Sequence, residues 1–357
     1  MLVSRFQMVM EGQLVSACGA GAVAVDLLHR KEHLAQSLIR HFLEQCIEAH
    51  APVALLYPFC IGFYRKMGFG LLTENYRFRF RPDQLSCVSA DKSRLHVAEP
   101  SDHAELLAFY HRWALNHNGM LLHPIWDELR IFEGKSVVIH RNSHGEIDGY
   151  CCFRINPAPL SAFYSNQLTV HELVCSNRNA LGAFSALLAS LSDQFAYIDF
   201  YTPFQSSHLL ASDPDSGEND AYHNGIQEYA RYCGGCMAKI VDLDRFYSKA
   251  IQCAQKLQIP GFCVRLEIQD DLPTGNSHPS MFTLCWENGL LYPGTNRQTA
   301  DAVISGKISD YTSFALGAAS LESLHFFSRL NVTPVQYIPY LQEILGKRQK
   351  PVCFTYF

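Results

Sequence analysis

No apolar run in the 357 residues reaches the roughly 18 that a membrane-crossing helix needs. The opening Met1-Leu2-Val3-Ser4-Arg5 lacks the charged start, long apolar core and small-residue cleavage site of a secretory signal. Positive charge is not in excess either. The 29 Lys and Arg face 34 Asp and Glu, a formal net of -5, which argues against wholesale binding to nucleic acid or an anionic membrane. The 13 Cys are odd in number and do not have the spacing of a secreted disulfide framework. Several (Cys46, Cys151, Cys152, Cys175, Cys285) stand in apolar runs, where a free thiol acts as a small hydrophobe. Cys233-Gly234-Gly235-Cys236 has no second CxxC to complete a metal set and stands where a strand begins, so no metal site is expected. Gly19-Ala20-Gly21 is not a dinucleotide fingerprint, because the full glycine spacing is missing and the run precedes a strand rather than a helix. These absences leave the cytoplasm as the expected compartment.

What is present is an ordinary globular composition, 48% hydrophobic and 18% charged, in a chain long enough for two or three domains. Hydrophobic patterning predicts strands at Gln7–Val9 and Leu14–Val25, then a helix from about Arg30 to Glu48 with Leu34, Leu38, Phe42 and Ile47 on one face. Val53–Tyr57 reads as a buried strand, followed by a short helix Ile61–Lys66 that stops at Gly68. Tyr76-Arg77-Phe78-Arg79-Phe80-Arg81 alternates aromatic and basic residues as a strand does. The polar stretch after Pro82-Asp83, to about Arg94, reads as a boundary. Farther on, the strand Leu168–Cys175, the helix Ala180–Phe195 and the strand Tyr197–Tyr201 repeat the pattern of Ala22–Tyr57, with no residue-level repeat. Gln205–Gly225 reads as a long polar loop, and Asn288-Gly289 as a hairpin turn. The chain closes on Pro351-Val352-Cys353-Phe354-Thr355-Tyr356-Phe357, aromatic enough to dock rather than fray.

Two motifs carry chemistry. His29-Arg30-Lys31-Glu32-His33-Leu34-Ala35 lies between a strand and a helix, where free N–H groups, the helix dipole and two mobile cations can hold a pyrophosphate. A solvated basic helix start is the alternative. In Gly62-Phe63-Tyr64-Arg65-Lys66-Met67-Gly68-Phe69-Gly70, the Tyr64 phenol stays protonated at neutral pH and can act as a general acid. Here the alternative is a core aromatic tipping its hydroxyl to water.

Those residues resemble the acetyl-CoA-binding half of the GNAT N-acetyltransferases, and most of all the enhanced-intracellular-survival (Eis) type. The basic turn matches that family's His-Arg-Arg-x-Gly-x-Ala at His29, Arg30 and Ala35, Lys31 keeps the charge, and His33 replaces the glycine. The resemblance implies an α/β (α+β) protein of two tandem GNAT-like domains followed by a sterol-carrier-like domain. The expected divisions are residues 1–88, 89–246 and 247–357, the second domain having no cofactor site. It also implies a leading helix and strand that would stand before Met1, so the first domain reads as partial.

By the same resemblance, acetyl-CoA is the cosubstrate. Val23, Ala24 and Val25 would meet its pantetheine arm, while Arg30, Lys31, His33, Leu34 and Ala35 would surround its pyrophosphate. Tyr64 would protonate the leaving thiolate, and the terminal carboxylate of Phe357, inserted into the first domain, would take the proton from a primary amine. A polyamine, an aminoglycoside-like amine and a lysine side chain all fit as substrates, and a homo-oligomer is expected. No nucleic acid or membrane partner is expected. Two other functions stay open. One is a non-catalytic GNAT-like binding or scaffold protein, favoured by His33 and the partial first domain. The other is a carrier of an apolar ligand in the C-terminal region.

Overall fold

The computed structural model describes residues 1–86, 91–157, 166–214, 228–249, 259–273, 281–294, 299–347 and 349–357. Part of the expected boundary before Arg94 and most of the polar loop before Gly225 lie outside the described residues. The chain divides into two compact units. The first gathers residues 1–73, 115–123 and 235–357, and the second gathers 74–114 and 124–234. These units depart from the divisions expected at 88/89 and 246/247. The alternating aromatic and basic strand joins the second unit, and the last third of the chain joins the first.

In chain order the elements begin with strands β1 (Leu2–Met10), β2 (Gln13–Gly21) and β3 (Val53–Leu56), with helices α1 (Leu34–Glu48) and α2 (Ile61–Arg65), then β4 (Gly70–Leu71). Next come β5 (Glu74–Phe80), β6 (Leu95–Val97), α3 (His103–Ala114), β7 (Leu121–Leu122), α4 (Pro124–Phe132), β8 (Ser136–Arg141) and β9 (Ile147–Asn156). They are followed by β10 (Asn166–Cys175), α5 (Arg178–Ala189), β11 (Phe195–Thr202), β12 (Ala230–Gly234), β13 (Met237–Ile240) and α6 (Leu243–Lys249). The chain ends with β14 (Phe262–Gln269), β15 (Phe282–Glu287), β16 (Leu290–Pro293), β17 (Ala302–Lys307), α7 (Ile308–Ala315), α8 (Leu321–Phe326), β18 (Leu330–Thr333) and α9 (Ile338–Leu345). No described helix is long and apolar enough to cross a membrane.

The first unit holds a six-stranded sheet, ordered β4-β13-β3-β2-β1-β7, and a five-stranded sheet, ordered β16-β15-β14-β17-β18. β1 and β2 form a hairpin whose two turn residues, Glu11 and Gly12, both have positive φ, as a primed turn requires. β2 then runs parallel to β3 from Ala17 opposite Val53 to Ala20 opposite Leu56. Side chains alternate along a strand, so the two faces of this sheet differ. Cys18, Ala20, Ala54 and Leu56 point to one face and pack with Ile39, Phe42, Leu43 and Cys46 of α1. Of the expected stripe, Phe42 lies in this core, Ile47 packs against it and Leu38 is half-buried. Leu34 is exposed, because the helix is placed by the burial of 39, 42, 43 and 46. Gly19 and Gly21 point to the other face.

Two ladder ends also differ from expectation. β2 stops at Gly21, paired with Leu2, and Ala22 takes a positive φ, so Val23–Val25 is irregular backbone rather than strand. α1 starts at Leu34 rather than Arg30, because His33 at its N-cap is left-handed (φ 59°). The five-stranded sheet carries the Asn288-Gly289 turn, both residues at positive φ, between β15 and β16. It also carries a disulfide, Cys263–Cys285, between directly opposed residues of β14 and β15. Cys285 is therefore a bonded cysteine and not the free thiol that its apolar surroundings suggest.

The second unit is one seven-stranded sheet, ordered β12-β5-β11-β10-β9-β8-β6. Phe78, Phe80, Cys151, Leu168, Val170, Ile198 and Phe200 on one face pack against Phe184 and Leu188 of α5. Tyr150 and Cys152, alternating with Cys151, meet Phe109 of α3 and the carbonyl of Ile131 of α4 on the other face. β10 and β11 are parallel. The chain thus contains a second strand, helix, parallel strand passage, as its pattern predicts.

Candidate active site

The site expected from the sequence lies wholly in the first unit, at the C-terminal ends of β2 and β3. Ligands of open α/β sheets enter at such strand ends, where two parallel strands part. Beyond Ala20 and Leu56 the pairing of β2 with β3 stops. β2 turns off at Ala22, and β3 continues into Tyr57, Pro58 and Phe59 before α2. Val23 and Val25 are half-buried, Ala24 is exposed, and Val23 packs on the α1-side core.

From there the chain climbs through a short 3₁₀ turn, Leu27–His29, capped by Asp26, to the basic turn. Arg30, Lys31, His33 and Leu34 are exposed and Ala35 is half-buried. His29 pairs with Glu32 at 3.2 Å. The side chain of His33, the N-cap residue of α1, makes no capping hydrogen bond to the amides of the first turn. Positive φ at both Lys31 (72°) and His33 (59°) curls this segment, and a left-handed residue with a Cβ costs about 1–2 kcal/mol. A glycine at position 33 would avoid that cost, which gives the His33 departure a physical meaning.

Tyr64 lies in α2, buried among Cys18, Ala20, Leu56 and Phe69 on the α1 side of the sheet. The rings of Phe59, Phe63 and Phe69 meet it edge-on at 5.3, 5.2 and 6.2 Å. Burial, and next the Cys60 thiol, raise its phenol above the ordinary value, which favours the protonated form that an acid needs. The turn after α2 is held from below. Fully buried Lys239 of β13 donates to the carbonyls of Met67 (3.1 Å) and Leu272 (2.8 Å) and pairs with Asp270 (2.8 Å). Arg65, the neighbour of Tyr64, pairs with Asp310 of α7, which Arg329 also engages at 3.0 Å.

Phe357 lies on the opposite face. A Cβ on Gly19 would stand 2.4 Å from its ring, and one on Gly21 would stand 2.8 Å from its carboxyl carbon. Only bare backbone admits the chain end here. The ring packs on Phe6 (4.9 Å) and meets Tyr57 edge-on (5.4 Å). The terminal carboxyl therefore lies beside Gly21, at the root of the Val23–Val25 segment, while Tyr64 reaches the same strand ends from the α1 side.

Sequence reasoning missed Gly19, Gly21, Tyr57, Lys239 and Asp310. The two glycines did leave a signal, as a pair that fits no nucleotide motif. The buried lysine left none, since its partners are distant in the chain. Cys233, exposed, and Cys236, buried, are both free cysteines. Among the described residues no group of His, Cys, Asp and Glu is arranged to hold a metal ion.

Residues 1–72 and residues 111–230 each match a profile of the acetyltransferase (GNAT) domain. This chain carries two GNAT domains. An uncharacterized N-acetyltransferase of Streptomyces coelicolor is 27% identical over 162 residues, 41% of this chain and 39% of that relative. The chain thus spans well under half the length of that curated relative. Among solved structures, a GCN5-related N-acetyltransferase from Anabaena variabilis is 19% identical, with a TM-score of 0.80 over 99% of this chain and 86% of the other. Eis1 from Mycobacterium abscessus is 17% identical, with a TM-score of 0.74 over 99% and 88%. At those identities the GNAT likeness concerns the fold.

Proposed function

We propose that the chain is an Eis-like N-acetyltransferase that moves an acetyl group from acetyl-CoA to a primary amine. The observation that carries this reading is the start of α1 in the first GNAT domain: a helix N-terminus whose N-cap side chain makes no capping bond, beside Arg30 and Lys31, just past the parting of β2 and β3. Free first-turn amides and mobile cations suit a pyrophosphate. His33, Leu34 and Ala35 open that helix and would border the pyrophosphate, and Val23, Ala24 and Val25 would offer backbone groups to the pantetheine arm and the thioester carbonyl.

The chemistry draws on both sides of the sheet. The amine nitrogen attacks the thioester carbonyl, held close enough that positioning supplies much of the rate. Backbone N–H groups of the 23–25 segment polarise that carbonyl. As the tetrahedral species collapses, the carbon–sulfur bond breaks and Tyr64 gives its proton to the thiolate. The Phe357 carboxylate accepts the proton shed by the amine nitrogen. The tandem arrangement with a sterol-carrier-like C-terminal region, the cytoplasmic setting and a homo-oligomer belong to the same reading. The amine is left at its chemical class.

Titration calorimetry of the full chain with acetyl-CoA tests the reading. Saturable binding that is lost in Arg30→Ala/Lys31→Ala is expected. No heat from a chain shown to be folded overturns it in favour of a scaffold role.

A further inference from the structure

The last three residues of the chain all meet one side chain. Tyr57 stands just past β3, on the same face as Gly19, since Leu55 is opposite Gly19 in the parallel ladder and 57 repeats its direction. Its hydroxyl donates to the carbonyl of Thr355 at 2.8 Å. Its ring stacks on Tyr356 (4.8 Å, 29° between planes) and meets the edge of Phe357 (5.4 Å, 64°). Two further bonds hold the approach to this point. Val352 N–H donates to the Asn118 carbonyl at 2.7 Å, and the Thr355 hydroxyl donates to the Leu121 carbonyl at 3.2 Å. Both lie upstream of the last two residues. Beyond Thr355, Phe6 and the bare backbone of Gly19 and Gly21 shape the seat of Phe357, while Tyr57 fixes the backbone that leads into it.

We propose that Tyr57 is the positioning residue for the chain's terminal carboxylate, setting where it lies against Gly21 and so its alignment with an attacking amine. The assignment rests on the reading in which that carboxylate takes the amine proton. Tyr57 itself transfers nothing. Chain ends fray unless tied down, and a carboxylate that moves by an ångström loses its line to the nitrogen. Burial keeps the Tyr57 phenol well above its ordinary value, so it stays a neutral donor throughout the working range.

The test compares full-length wild type, Tyr57→Phe, Tyr57→Leu, a chain lacking Phe357, and the double variant of that deletion with Tyr57→Phe. The readouts are kcat and KM with acetyl-CoA and any primary amine that the wild type accepts, and the rate at which carboxypeptidase A releases Phe357. Removing one neutral hydrogen bond in Tyr57→Phe lowers kcat roughly fivefold. KM for acetyl-CoA stays within about twofold on the same scale, and release of Phe357 quickens. Tyr57→Leu approaches the deletion, and the double variant is no slower than the deletion alone. The proposal is overturned if Tyr57→Phe leaves both kcat and release unchanged, or if it costs the same factor with Phe357 already gone. A deletion that keeps full kcat instead sinks the base role of the carboxylate. Faster release of Phe357 from the Tyr57 variants would then show the anchor alone.

Discussion

α1 and α5 each come after a strand that runs parallel to the next one, β2 with β3 and β10 with β11, yet their first turns are finished in opposite ways. At α5, Asn177 accepts from the amides of Asn179 and Ala180, both at 3.0 Å, and its own amide donates to Asp148 at 2.7 Å. Asp148 also pairs with His140. Two of the first-turn amides there are taken and the Asp148 carboxylate stands behind their cap, so, although exposed Arg178 opens the helix, an incoming phosphate meets fewer free donors. At α1 the N-cap side chain, His33, makes no capping bond, and the basic residues Arg30 and Lys31 are exposed. The segment after the second strand differs too. β3 leads to α2 and Tyr64, whereas β11 leads to a 3₁₀ turn, Gln205–Leu210, that contains no tyrosine. Two passages of one topology can thus diverge into an uncapped basic end and a side-chain-capped one through the chemistry of a single helix turn.

The sharpest way to break this contrast is at the tyrosines. Tyr64→Phe is expected to lower kcat by about a hundredfold, the lower end for loss of a general acid, with acetyl-CoA binding kept. Tyr201→Phe, at the end of β11, should leave kcat unchanged, and equal effects would erase the distinction. The raised Tyr64 phenol sets the sign of the pH dependence. A general acid is lost as pH rises through its pKa, so this group should place no falling limb below about pH 10. Next in size, Arg30→Ala and Lys31→Ala should each weaken acetyl-CoA about tenfold by calorimetry, the scale of a lost charge-assisted hydrogen bond. Smaller again, Asn177→Ala should cost about 1 kcal/mol in urea unfolding while acetyl-CoA affinity stays the same. A changed affinity would mean that the second junction is not inert. The smallest effect expected is from His33→Gly, which relieves a left-handed residue but adds freedom to the unfolded chain, and should stabilise the fold by about 0.5 kcal/mol. A loss of stability would show that the His33 side chain supports the turn.

How far the residues announce this structure depends on the range of the force involved. The Asn288-Gly289 hairpin, the alternating strand now seen as β5 and the two strand, helix, strand passages are local, and periodicity or turn chemistry reveals them. The end of β2 and the start of α1 lie a few residues from where periodicity puts them, because Ala22 and His33 take positive φ that neither residue type announces. The unit to which β5 belongs depends on pairing with β11 and β12, far along the chain. The Cys263–Cys285 bond likewise depends on register between β14 and β15, which no spacing rule supplies for a chain of 13 Cys. At the site, the basic turn and Tyr64 could be read as motifs. Tyr57, Lys239 and the two glycines gain their meaning only from what packs against them.

β13 lies against the outer edge of β3, opposite Met237 to Leu56 and Ile240 to Val53, although the whole second unit is spelled out between them. A growing chain must therefore carry β3 with that hydrogen-bonding edge open until residues past 234 have left the ribosome. Open strand edges invite pairing with neighbouring chains. Synthesis order thus sets a vulnerable interval in this protein's life. It closes only when the final third arrives to complete a sheet begun at residue 2.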